Sequence, residues 1–298
     1  MTPNRAAAEG KAVPADASRL SAALALVGAV GLFALMGALV KLVSGRFALG
    51  EIIFYRGFFA TLVLLALVPG QGGWQVLRTR RPLGHALRSL AGLTAMTLSF
   101  AALAMLPLAE ATALSFTAPL LTAALAVPLL GERVTRQRWL ALLLGLAGVL
   151  VIVRPGTATF SWGTLLGVAG AVFIALAMIS IRRLGGTERG LTVALYFQLA
   201  CTLAGAASLL FVRHLPGAAD LLALVGIGVL GGLAQVLMTR AYMSGPASWL
   251  APFEYSAMLW SALLGFLLWG DLPGPAVILG ASLVIGAGLL VMREARGG

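Results

Sequence analysis

The chain has 298 residues, of which 60% are hydrophobic and only 10% charged, and it carries a net charge of +11 at neutral pH. A soluble domain is about a quarter charged. A soluble core of this length would leave too little polar surface, so the composition excludes an ordinary water-soluble enzyme or binding module.

The first 19 residues, polar and Ala-rich, read as a short disordered tail. The apolar segment that follows is too long for the core of a signal peptide. Crossing a hydrocarbon layer about 30 Å thick takes roughly 20 mainly apolar residues. The chain supplies such stretches at 20–43, 49–69, 84–106, 108–130 and 137–153, and again at 161–182, 190–212, 220–243, 247–269 and 275–292. The second span holds Glu51 and Arg56, which read as a structural pair with Lys41 as another partner for Glu51. The third opens on His85 and Arg88 and carries Thr94 and Thr97. Glu110 opens the fourth, where a carboxylate meets the positive end of the helix dipole. That span carries Thr112, Ser115 and Thr122 on one face around Pro119, whose missing amide frees the carbonyl four residues earlier. The seventh contains the single cysteine, Cys201, a packing residue with no disulfide partner. The eighth offers Gln235, Met238, Thr239 and Tyr242 at helical spacing, and the ninth Phe253, Glu254, Ser256 and Trp260. Two GxxxG pairs, Gly163/Gly167 and Gly228/Gly232, suit close helix packing within the bundle or between protomers. The pattern predicts an all-α polytopic membrane protein with ten transmembrane helices.

The basic residues mark membrane sides and leave no stripe for nucleic acid. Of the 21 Lys and Arg, all but Lys41, Arg46, Arg56, Arg154 and Arg213 fall on the side shared by both termini. That bias predicts cytoplasmic N- and C-termini in a multi-pass inner-membrane protein.

The chain also repeats itself. One offset superimposes Gly131-Glu132 on Gly270-Asp271 and the span ending at Arg154 on the one ending at Arg293. A nearby offset sets Phe54-Tyr55-Arg56 beside Tyr196-Phe197-Gln198. Each unit, 20–155 and 156–298, holds five spans. An odd number inverts the second unit relative to the first, which is the architecture of secondary transporters.

Glu110 to Pro119 (EATALSFTAP), the LGER turn at Leu130 to Arg133 and Leu146 to Pro155 (LAGVLVIVRP) resemble the EamA repeat of the drug/metabolite transporter superfamily. The second half is similar in Gly231 to Gln235, Thr239 to Tyr242, Ala251 to Tyr255 and Leu263 to Asp271, although Met258 stands where the first copy has Pro119. The resemblance implies a ten-helix carrier with a central cavity formed mainly by spans 1, 3, 4, 6, 8 and 9. Its members include amino acid exporters, among them aromatic amino acid exporters, and carriers of riboflavin and S-adenosylmethionine.

A charged group inside lipid needs a partner, a watery cavity or a function. Glu254 fits recognition of a substrate ammonium or proton coupling, and equally a contact with Arg240 near the interface. Trp260, mid-span and on one face with Phe253 and Ser256, suits a flat or apolar solute, and equally packing against glycine-rich neighbours. Gln235, Thr239 and Tyr242 of the eighth span, Ser115 of the fourth and Thr97 of the third complete the expected solute contacts. Hydrogen bonding of such hydroxyls to their own helices is the competing reading. No HExxH zinc motif or cysteine cluster occurs. The GxGxxG at Gly226 to Gly231 lies in an apolar span with no preceding strand, so no metal or nucleotide cofactor is expected. The expected partners are a small-molecule substrate and membrane lipid. A non-transporting membrane scaffold is the competing class, and the pattern leaves oligomeric state open.

Overall fold

A computed structural model describes residues 15–71, 73–130, 136–153, 161–185, 187–211, 216–244, 253 and 256–297, with some side chains in these ranges excepted. The helices run α1 (Ala15–Val43), α2 (Leu49–Leu65), α3 (Pro82–Met105), α4 (Leu108–Ser115), α5 (Thr117–Leu130), α6 (Arg136–Val153), α7 (Trp162–Gly185), α8 (Gly190–Leu209), α9 (Ala218–Ser244), α10 (Ser256–Trp269) and α11 (Pro275–Gly297). Two short 3₁₀ turns, Pro69–Gln71 and Gly73–Leu77, connect α2 to α3. Among the described residues, five helical stretches are long and apolar enough to cross a bilayer: Ala23–Val43, Pro82–Met105, Trp162–Ile181, Gly190–Leu209 and Ala218–Met238. The chain is an all-α, multi-pass membrane protein.

Two boundaries differ from the sequence reading. Helix α1 begins at Ala15, inside the expected tail. Its first turn is Ala-rich, and Ala has the highest intrinsic helix propensity. Residues 1–14 lie outside the described residues. The fourth span is two helices, α4 and α5, which part at Phe116. Pro119 accounts for the break, since it has no amide to donate to the carbonyl of Ser115.

Proline at the first helical position starts α3 and α11, where its fixed φ is pre-organised and its missing donor costs nothing. At the far end of α10, Gly270 adopts φ +71°, a conformation that a Cβ disfavours. That turn carries Asp271 back toward α1, where its carboxylate stands 3.5 Å from Lys41 Nζ.

Glycines set how closely the helices approach. A Cβ on Gly163 would lie 2.9 Å from Leu106 and Met105, and one on Gly167 2.8 Å from Leu114. A Cβ on Gly228 would meet the Tyr55 carbonyl at 2.8 Å, and one on Gly232 the Val63 Cβ at 2.9 Å. Both GxxxG pairs therefore pack within the bundle, α7 against α3 and α4 and α9 against α2. Helix α9 runs along α1, α3 along α7, α2 along α8, and α6 along α11, while α10 meets both α1 and α4. The largest core cluster joins Met36 and Val40 of α1, Ile52 of α2, Met96 and Phe100 of α3, Phe197 and Cys201 of α8, and Leu224 and Ile227 of α9. Large apolar side chains face outward instead, among them Leu203 at 71% exposure and Leu259 at 74%. In water such a surface would aggregate; in a bilayer it is the lipid contact.

Candidate functional site

The break at Phe116 exposes backbone that the local hydroxyls partly satisfy. Ser115 Oγ donates to the Thr112 carbonyl at 2.7 Å and Thr117 Oγ1 to the Leu114 carbonyl at 2.8 Å. Thr112 Oγ1 also lies 2.7 Å from Ser261 Oγ of α10, a contact joining the first half of the chain to the second. The break stands about 12 Å from the start of α4 at 1.5 Å rise per residue.

Trp260 is 37% exposed, and its indole lies against α1, where a Cβ on Gly31 would meet Trp260 Cε2 at 3.1 Å. Ser256, one turn earlier, donates to the Phe253 carbonyl at 2.6 Å. Phe253 packs with Leu26, Val30 and Ala241. Gln235 is half-buried and held by a neighbour. It lies between Gly231, which faces Met36, and Leu237, which faces Gly28, and so at the level of α1 that also meets Trp260. Thr97 donates to the Leu93 carbonyl of its own helix at 2.9 Å. The structure thus gathers Trp260, Phe253 and Gln235 along α1 and puts Ser115 on the α4 break, while the hydroxyls of Ser115, Ser256 and Thr97 bond backbone of their own chain segment. Thr239 and Tyr242 belong to α9, with side chains outside the described residues, and Glu254 lies outside them altogether.

The ion pairs differ from expectation. Glu51 accepts a hydrogen bond from the Ala48 amide at 2.8 Å, capping its own helix. Lys41 reaches Asp271, donates to the Leu106 carbonyl at 2.9 Å and lies 4.8 Å from the Trp269 ring centre. Beneath that tie, Pro107, Glu110, Gly265, Asp271, Pro273 and Val277 line a cavity of about 50 Å³, room for water but not for an organic solute.

Arg56, without Glu51, turns inward and donates from Nη1 to Gln198 Oε1 at 3.1 Å. Arg88, expected at the membrane surface, lays its guanidinium over the Phe197 ring at 3.8 Å from the centroid. The single residues Arg56 and Arg88 gave no hint of this meeting. The repeat alignment that set Arg56 beside Gln198 was the available signal.

On the side of the α2–α3 and α7–α8 connections, Glu188 accepts hydrogen bonds from Thr79 Oγ1 at 2.9 Å and the Arg80 amide at 3.0 Å, and it stands 3.6 Å from His85 Nε2. Removal from water pushes the Glu188 carboxyl up, but the Arg80 amide, the Thr79 hydroxyl and His85 together hold it below the usual carboxylate range. A depressed carboxyl stabilises the fold above its unfolded value and ceases to do so as pH falls through the folded one. Protection of the Arg80 amide, corrected for intrinsic exchange, is therefore expected to persist as pH falls through about 4.3 and to drop only below it. Hydrogen exchange across that range checks this, and Glu188→Gln should remove the transition.

Long apolar helices, one span broken at Phe116, and a polar contact there joining the two halves of the chain fit a polytopic carrier. The comparisons with known proteins agree. Residues 20–154 match the EamA-like transporter family. An uncharacterised transporter of Helicobacter pylori is 32% identical over 88% of this chain and 91% of its own length. The pseudopaline exporter CntI of Pseudomonas aeruginosa is 30% identical over 89% and 93%, and the S-adenosylmethionine uptake transporter of Rickettsia prowazekii 28% identical over 81% and 82%. A riboflavin transporter of Rhizobium johnstonii is 30% identical over 81% and 80%. One protein of known crystal structure superposes with a TM-score of 0.67 at 25% identity, covering 93% of this chain and 99% of that one. The chain belongs to the EamA-like transporter family.

Proposed function

We propose that the protein is a secondary transporter that works by alternating access and exports amino acids, chiefly aromatic or other apolar ones, across the inner membrane, with both termini cytoplasmic. The observation that carries this reading is the break at Phe116, which faces the other half through Thr112 and Ser261. Discontinuous helices at the interface of two repeats are where secondary transporters bind their cargo. Trp260 and Phe253 give a solute's apolar body a surface, and Gln235, Ser115 and Thr112 give its polar end hydrogen-bonding partners. Thr97, Ser256, Thr239 and Tyr242 are assigned to the same solute path, and Glu254 to charge recognition or coupling.

In this reading residues 20–155 and 156–298 are inverted five-helix repeats. Exchanging the halves turns the α1–α9 contact into α7–α3, turns α1–α10 into α7–α5, and maps α2–α8 and α6–α11 onto themselves, so the observed contacts support it. The names of the Rickettsia and Rhizobium relatives favour a second reading, uptake or exchange of another metabolite.

Counterflow in proteoliposomes distinguishes the two. Labelled phenylalanine or tryptophan is expected to exchange, and riboflavin and S-adenosylmethionine are expected not to. Movement of only the latter pair would establish the second reading, and an inert protein would point to a scaffold.

A further inference from the structure

We propose that Arg56, Arg88 and Gln198 form a binding site for the carboxylate group of the transported solute, an assignment that rests on the transport reading above. Arg56 is 7% exposed and Gln198 1% exposed. Both stand about 10 Å or more from the nearer ends of their helices. Among the described residues no carboxylate lies within ion-pair distance of either arginine. Among the described residues, Arg56 Nε, Arg88 Nε and Arg88 Nη1 are buried without a hydrogen-bond partner.

A purely structural role leaves these facts unexplained. An internal ion pair would bring its own counterion, and a buried charge left without one carries a desolvation penalty. The Phe197 ring lies against both guanidiniums, at 3.8 Å from Arg88 and 5.9 Å from Arg56. Such a contact takes up a guanidinium's face and none of its N–H donors. Two like charges brought together in a low-dielectric interior with donors to spare call for an anion, and the planar fork of arginine matches the two oxygens of a carboxylate.

The surroundings are shaped for the pair. A Cβ on Gly92 would lie 2.5 Å from Arg88 Nη1, and one on Gly231 3.7 Å from Arg56 Nε and 3.0 Å from Met36. Arg56 thereby reaches the same α1–α9 wall that carries Gln235 one turn further on. An amino acid with its carboxylate on the arginines has its side chain directed along that wall, toward Trp260.

Benzoate, benzamide and phenyl phosphate test the site in detergent, by their effect on the thermal unfolding of the purified protein. Benzoate is expected to stabilise the wild type and benzamide not to. Arg56→Gln and Arg88→Gln should bind benzoate roughly 10- to 100-fold more weakly, the loss that follows from removing a charge-assisted hydrogen bond, while Arg88→Lys should retain part of it. Gln198→Glu places a fixed carboxylate beside Arg56. That variant should fold at least as well as wild type and lose benzoate binding, so the test survives if Arg56→Gln fails to fold. Benzoate bound equally by wild type and Gln198→Glu, preferred binding of phenyl phosphate, or no stabilisation at all would overturn the site.

In proteoliposomes, phenylalanine should exchange and phenylalaninamide should not. An amide carried as well as the acid sinks the carboxylate site and leaves transport standing. A wild type that binds benzoate yet exchanges no solute sinks the transport reading alone.

Discussion

Gly205→Leu is expected to leave little folded protein. A Cβ at this position of α8 would lie 2.5 Å from the Phe54 Cα of α2, and the opposing Gly57 would meet the Thr202 amide nitrogen at 2.7 Å. These are backbone atoms, which cannot swing aside as the end of a side chain can. The substitution must therefore push α2 and α8 apart along a seam that also carries Ile52, Phe197 and Cys201 of the main core. Overpacking a core commonly costs about 1–3 kcal/mol, and a leucine facing backbone lies at or beyond the upper end. Thermal unfolding in mild detergent, beside Gly286→Leu as a control, checks it. Gly286 has nothing within 4 Å of its would-be Cβ, so the control should melt close to wild type. Equal melting of the two variants would show that the seam does not hold the bundle.

Trp260→Ala is expected to raise the KM for tryptophan or phenylalanine by roughly tenfold or more while leaving a folded carrier. The estimate takes the apolar area of the ring plus about 0.5–1.5 kcal/mol for aromatic contact, with each 1.4 kcal/mol worth a factor of ten. The indole is 37% exposed and otherwise rests on Gly31 of α1. Trp260→Phe should recover most of the affinity, and leucine or another non-aromatic solute should suffer less than tryptophan. Counterflow at graded solute concentrations reads each of these. A variant that melts lower but keeps its KM would assign Trp260 to packing.

The helices were legible in the sequence because lipid imposes a length on each apolar run, and α3, α7 and α8 begin within a few residues of where hydropathy puts them. The carbonyl freed by Pro119 was legible, but the break was not, since the fourth span was expected as one helix over 108–130. Nor were the partners of the charged residues. Local spacing suggested Glu51 for Arg56 and for Lys41, whereas Arg56 found Gln198, 142 residues away, and Lys41 found Asp271, 230 residues away. Which helices touch, and at what rotation, decides such pairs, and periodicity within one helix carries no information about rotation against another. The hydroxyls of Ser115, Ser256 and Thr97 were legible as polar positions, but sequence alone could not choose between a solute and the backbone of their own segment, which they bond.

In the inverted-repeat reading proposed above, the bond between Arg56 and Gln198 joins positions that correspond in the two halves. A side chain lying on a molecular dyad faces its own duplicate. In an assembly of two identical subunits that place would hold two guanidiniums, which repel, or two amides, which carry no charge. Halves that differ in sequence, as in one fused chain, let one copy present the cation and the other the acceptor that steadies it. On that reading the unlike pair is something a single polypeptide can encode and a homodimer of the same architecture cannot.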